Sequence, residues 1–99
     1  RVAFVCNYIE NNYSNSLSLN EVANMVHLSS AYLSKVFTRQ VGMGFSQYII
    51  HIRLKHCKKD LVMTDNSITQ IAVKHGFSNS STLLKHFKAH MKLTPSQFI

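Results

Sequence analysis

Ninety-nine residues, 45% of them apolar, with one proline and three glycines, suit one small folded domain and exclude collagen-like, proline-rich and disordered chains. Eleven Lys and Arg against four Asp and Glu give a net charge of +7, which predicts an acidic partner, and the length is short for an enzyme that must also build a deep cleft. The charge is uneven, since residues 1–34 hold Arg1, Glu10 and Glu21, whereas residues 35–99 hold ten bases against Asp60 and Asp65.

In chain order, apolar residues at Val2, Val5, Cys6, Ile9 and Tyr13 recur every three or four positions, which predicts a first helix that loosens at Asn11 and Asn12. Ser18-Leu19-Asn20-Glu21 has the spacing of a capping box, and Leu19, Val22, Ala23 and Val26 follow on one face of a short second helix. His27-Leu28-Ser29-Ser30 breaks that pattern, and either serine can cap a third helix whose buried stripe is Leu33, Val36, Phe37 and Val41, ending at Gly42. A long helix free of Gly and Pro is expected over 45–63, with Arg53, Lys55, Lys58 and Lys59 among its apolar positions and a stop at Thr64-Asp65-Asn66.

The rest of the chain repeats the beginning. Ser67-Ile68-Thr69-Gln70 is a second capping-box spacing, and Ile68, Ile71 and Ala72 match Leu19, Val22 and Ala23 at an offset of 49. One extra residue in the turn makes the offset 50, so Leu33-Ser34-Lys35-Val36-Phe37 lies over Leu83-Leu84-Lys85-His86-Phe87. Ser46-Gln47-Tyr48-Ile49 matches Ser96-Gln97-Phe98-Ile99, and Thr94-Pro95 starts a last short helix. The reading is all-α, about seven helices: one helix-turn-helix unit over 1–44, a linker helix over 45–63 and a second unit over 64–99.

A helix-turn-helix lays its second helix in the major groove of DNA, so the working helices fall at about 30–40 and 80–90. With Leu33 and Phe37 turned inward, Ala31, Ser34, Lys35 and Thr38 face out, as do Ser81, Leu84, Lys85 and Lys88 in the second copy. Lys suits the guanine acceptors, whereas Ala31 and Leu84 suit only apolar groups such as a thymine methyl. Ser29, Ser30, Asn79 and Ser80 cluster at helix starts, where backbone N–H groups favour phosphate; Arg39, Lys88 and Lys92 add charge. At each of these positions a plain capping or solvated surface role competes with DNA contact.

Leu28-Ser29-x-x-Tyr32-Leu33-Ser34-Lys35-x-Phe37, Gly42-x-x-Phe45-Ser46-Gln47-Tyr48-Ile49, Arg53-Leu54, Ile68-x-x-Ile71-Ala72, Gly76-Phe77 and Thr94-Pro95-Ser96-Gln97-Phe98 resemble the AraC/XylS family of bacterial transcription regulators over nearly the whole chain. The resemblance implies a C-terminal, bipartite binding domain for promoter DNA, joined in the full protein to a regulatory domain that lies outside this sequence. It implies base reading by Ala31, Ser34 and Lys35 in the first unit and by Ser80, Ser81 and Lys85 in the second, with Leu84 on the same face. Phosphate contacts are expected from Ser29, Ser30, Thr38, Arg39, Asn79, Lys88 and Lys92. RNA polymerase is implied as a protein partner, and dimerisation is assigned to the missing domain, leaving this piece monomeric. Bare Ala31 and apolar Leu84 depart from the family's larger or polar readers.

Other classes fare worse. His86 and His90 share a helix face, but no acidic residue lies near them in sequence and neither Cys6 nor Cys57 has ligand spacing, so no metal or other cofactor is expected. Both cysteines are expected in the core. No nucleophile with a base, Gly-rich phosphate loop or paired carboxylates supports catalysis. The alternative function is a basic helical module whose Arg53, Lys55, Lys58 and Lys59 meet a protein or an anionic membrane surface. No apolar run nears the roughly 18–20 residues of a membrane span, and the first residues do not continue into a leader, so a bacterial cytoplasmic protein is expected. The absence of an initiating Met is expected of a piece of a longer chain.

Overall fold

A computed structural model of the chain describes residues 1–92 and, among them, six α-helices and no strand. These are α1 (Val2–Asn12), α2 (Leu19–Met25), α3 (Ser30–Val41), α4 (Phe45–Met63), α5 (Ile68–Lys74) and α6 (Ser80–Met91). The seventh helix expected at Thr94-Pro95, with the repeat match over 96–99, lies outside the described residues. The chain divides into two units, Arg1–Ile49 and Ile50–Ile99, so that α4 gives its first five residues to the first and the remainder to the second.

In the first unit, α1 buries Val2, Val5 and Ile9, spaced three and four apart, and Asn12 ends it by donating from Nδ2 to the Tyr8 carbonyl at 2.9 Å. Cys6 is only half-buried, contrary to the core position expected for it, because it lies on the flank of that stripe. α2 adds Val22 and Ala23, and α3 adds Leu33 and Phe37, both fully buried. Phe45 and Tyr48 meet the Phe37 ring edge-on, with centroids 5.8 Å and 5.5 Å away, the orientation that sets the positive edge of one ring against the negative face of another.

The second unit repeats this plan. Leu54, Cys57 and Leu61 of α4 have the same three-and-four spacing as Val2, Val5 and Ile9, now at an offset of 52, and they pack with Ile71, Ala72, Phe77, Leu83 and Phe87. Burial of Cys57, aided by the Asp60 charge, pushes its thiol up to about 12. α4 stops where Thr64 sends both its amide and its hydroxyl to the Asp60 carbonyl, at 3.0 Å and 2.8 Å.

Where the first unit buries Val26, the second buries His75, the one buried polar side chain among the described residues. Its Nε2 lies 2.5 Å from Asp60 Oδ2, its ring stacks on His56, and Lys74 approaches the same carboxylate at 3.4 Å. The His75 hydrogen bond, followed by the nearby positive charge, holds the Asp60 carboxyl below its ordinary range.

Candidate nucleic-acid interface

The turn between the second and third helix of each unit decides where the third helix points. Both turns are Schellman closures. Leu28 N–H donates to the Ala23 carbonyl at 3.0 Å and His27 N–H to Asn24 at 3.2 Å; Phe77 N–H donates to Ala72 at 2.9 Å and Gly76 N–H to Val73 at 3.3 Å. The closure needs a left-handed residue, which is His27 (φ 59°) in the first unit and Gly76 (φ 97°) in the second. The ends of α3 and α6 are matched likewise by Gly42 (φ 90°) and Lys92 (φ 60°).

The helix starts are capped. Ser29, rather than Ser30, caps α3 and accepts from the Tyr32 amide at 3.1 Å; Asn79 caps α6, its Oδ1 accepting from Thr82 N at 2.8 Å and Thr82 Oγ1 at 3.0 Å. Ser18 caps α2 through the Glu21 amide at 3.4 Å, while Ser67 and Gln70 form both arms of a capping box on α5. Ser30 Oγ donates to Asn20 Oδ1 and so ties the first turn of α3 to α2.

These bonds sort the expected phosphate contacts by chemistry. A phosphate oxygen only accepts, so a contacting hydroxyl must have its proton to give. Ser29 uses a lone pair in its cap and keeps that proton, and Asn79 caps through oxygen while its Nδ2 is the donor. Ser30 and Thr38 already donate, to Asn20 and to the Ser34 carbonyl at 2.9 Å. Arg39, Lys88 and Lys92 are exposed, Lys92 standing at the left-handed end of α6.

On α3 the expected readers Ala31 and Lys35 are exposed and Ser34 is half-buried; on α6 Ser81, Leu84 and Lys85 are exposed and Ser80 is half-buried. With Leu33 and Phe37, or Leu83 and Phe87, in the core, each set lies on the outer face of its helix. At an offset of 50 Ala31 matches Ser81, Ser34 matches Leu84 and Lys35 matches Lys85, as Thr38 matches Lys88, while Ser80 matches Ser30, which is not among the first helix's expected readers. Two further residues bear on these helices without having been assigned a role by sequence, Tyr32 on α3 and Asn20 on α2. Tyr32 is 55% exposed in the first turn of α3, outside the buried pair Leu33 and Phe37. Asn20 holds Ser30 from ten residues away, a separation that no local pattern signals.

His86 lies against Phe77 at 5.9 Å, and burial, with His90, Lys85 and Arg53 nearby, holds it below the ordinary imidazole range. Arg53 lies over the Phe77 ring, 6.0 Å from its centroid, and burial lowers its pKa. No group of three His, Cys, Asp or Glu side chains suited to a metal occurs among the described residues, and no helix there is long and apolar enough to cross a membrane.

The family profile described as a helix-turn-helix domain matches residues 22–99. An uncharacterized HTH-type transcriptional regulator of Staphylococcus aureus is 40% identical over 98 residues, covering 99% of this chain and 13% of that protein; the chain thus spans about an eighth of such a relative's length. A transcriptional regulator of Chromobacterium violaceum, of the AraC-type DNA-binding domain-containing proteins, is similar in structure with TM-score 0.85 and 28% identity, covering 93% of this chain and 82% of that one. The DNA-binding domain of AdpA, solved in complex with a target DNA, shares the fold with TM-score 0.91 at 20% identity, over 98% and 87% of the two chains.

Proposed function

Because the chain belongs to the AraC-type helix-turn-helix family of DNA-binding transcription regulators, we propose that it reads promoter DNA with α3 and α6, each laid into its own major-groove segment. The supporting observation is the internal match: two helices of twelve residues, each behind a Schellman turn, each with an exposed lysine at the same place, Lys35 and Lys85. In this reading Lys35 and Lys85 donate to guanine acceptors, Ser34, Ser80 and Ser81 contact polar base edges, and Ala31 and Leu84 pack against thymine methyls.

Ser29 and Asn79 donate to phosphates at the helix starts, with Arg39, Lys88 and Lys92 supplying charge. Ser30 and Thr38, whose protons are engaged within the protein, reach phosphate only by exchanging those bonds. RNA polymerase at the promoter, a regulatory domain elsewhere in the longer protein and the bacterial cytoplasm belong to the same reading.

The test is selection of the chain on randomised duplexes of about 30 bp near physiological salt, since two groove segments on one face lie about one helical turn apart. Two unlike half-motifs at that spacing are expected. A single motif would reduce one of the two helices to a phosphate grip, and no enrichment would overturn the reading.

A further inference from the structure

Only part of the second unit's positive charge lies where α6 can use it. Of its eight bases, Lys85, Lys88 and Lys92 lie on α6 or at its end, while Arg53, Lys55, Lys58, Lys59 and Lys74 lie on α4 and α5. On α4 the residues buried in the second unit's core, Leu54, Cys57 and Leu61, form one stripe, and Phe45, Ile49 and Ile52 are buried on another side. At about 100° per residue, His51, Lys55, Lys59 and Val62 form another, roughly a third of a turn round the helix, and all four are exposed. The stripe ends in two neighbouring apolar side chains in water, Val62 at 64% and Met63 at 69% exposure.

From this arrangement we infer a second binding surface on α4 that takes an acidic, amphipathic segment of a partner protein. Carboxylates of the segment lie over Lys55 and Lys59, and its apolar side chains cover Val62 and Met63. Charge selects an acidic occupant. The apolar end selects a protein over a nucleic acid, because a phosphate backbone gains nothing from covering methyl and thioether groups, whereas an amphipathic helix gains by burying them. α4 and α6 contribute Leu54, Cys57, Leu61, Leu83 and Phe87 to one core, and binding of the segment requires that DNA held along α6 leave the α4 stripe open, which titration of the DNA-bound chain tests. The surface is separate from the reading helices and does not depend on which bases they read.

The test uses a fluorescein-labelled peptide of about 18 residues in which Glu and Leu are placed for an amphipathic helix. It is titrated with the whole chain already saturated with duplex DNA. Anisotropy is expected to report binding, and amide shifts in the unmodified chain are expected to move along residues 51–63. Lys55→Glu with Lys59→Glu should weaken the peptide about tenfold or more. Val62→Ser with Met63→Ser should weaken it about fivefold, with DNA affinity within about twofold of the parent in both cases. Retention of the helical circular dichroism signal checks that each variant is folded, and the shift map stands without any variant. The inference is overturned if DNA displaces the peptide, if a Leu→Ser peptide of equal charge binds as tightly, or if shifts fall elsewhere. It is equally overturned if phosphatidylglycerol vesicles bind this face and the peptide does not.

Discussion

His27 and Gly76 do the same job in the two copies of one turn, and that makes the chain its own control for backbone strain. Both have positive φ, 59° and 97°, and both donate through the amide to the carbonyl three residues back. A residue with a Cβ gives up about 1–2 kcal/mol in the left-handed region, and histidine, tolerated there better than most, stands near the lower figure. Glycine at position 27 relieves that strain but loses more freedom on folding, about 0.5 kcal/mol of it. The exposed His27 side chain has little packing to lose. His27→Gly should therefore stabilise the chain by about 0.5–1 kcal/mol, or about 3–6 °C for a domain of this size. Urea unfolding followed by circular dichroism should show a higher midpoint at an unchanged slope. Gly76→His should destabilise the second unit by at least as much, its φ being further from the left-handed minimum. Gly42→Ala serves as the calibration, because a Cβ there would meet nothing within 4 Å and only φ can cost. A fall in midpoint for His27→Gly, with the expected fall for Gly76→His, would refute the strain argument.

Four further outcomes are expected. Lys35→Ala should cost about 1–3 kcal/mol against the selected site and relax one base position in a binding assay over site variants, whereas equal affinity for every sequence before and after would remove Lys35 from the readers. Lys88→Gln should weaken all duplexes alike and lower the slope of log affinity against log salt by about 0.9. Asp60 titrates below its ordinary range, so its bonded carboxylate contributes stability that is whole above that range and is lost as pH falls through the depressed value. Asp60→Asn should accordingly flatten the loss of stability below about pH 4 in urea titrations. Cys57, fully buried with its thiol near 12, should resist iodoacetamide at pH 8 until the second unit unfolds, while Cys6 reacts first; equal rates in mass spectrometry would contradict the packing described.

The helices were legible because their signals are local. Apolar spacing placed Val2, Val5 and Ile9, serines marked the starts of α2, α3 and α5, and Gly42 marked an end. The offset of 49 then 50 carried the outer faces of α3 and α6 with it, since fixing Leu33 and Phe37 inside fixes Lys35 outside. What stayed hidden depends on contacts between distant residues or on backbone shape. Nothing near His75 in sequence announces Asp60, fifteen residues earlier, although the repeat offset sets His75 over buried Val26. His27 and Lys92 take left-handed angles usually signalled by glycine, so that although the break at His27 was legible, the backbone shape at these two residues was not. Ser30 and Thr38 counted equally with Ser29 as phosphate donors until the direction of each hydrogen bond separated them.

The two outer faces agree at Lys35 and Lys85 but differ at Ala31 against Ser81 and at Ser34 against Leu84. A pair of identical subunits about a two-fold axis meets a palindrome, which looks the same from either end. Two unlike faces in tandem on one chain give the recognised stretch a head and a tail. On the proposed reading, inverting that stretch in front of a gene would turn the bound protein around, its orientation following from the four side chains at which the two faces differ.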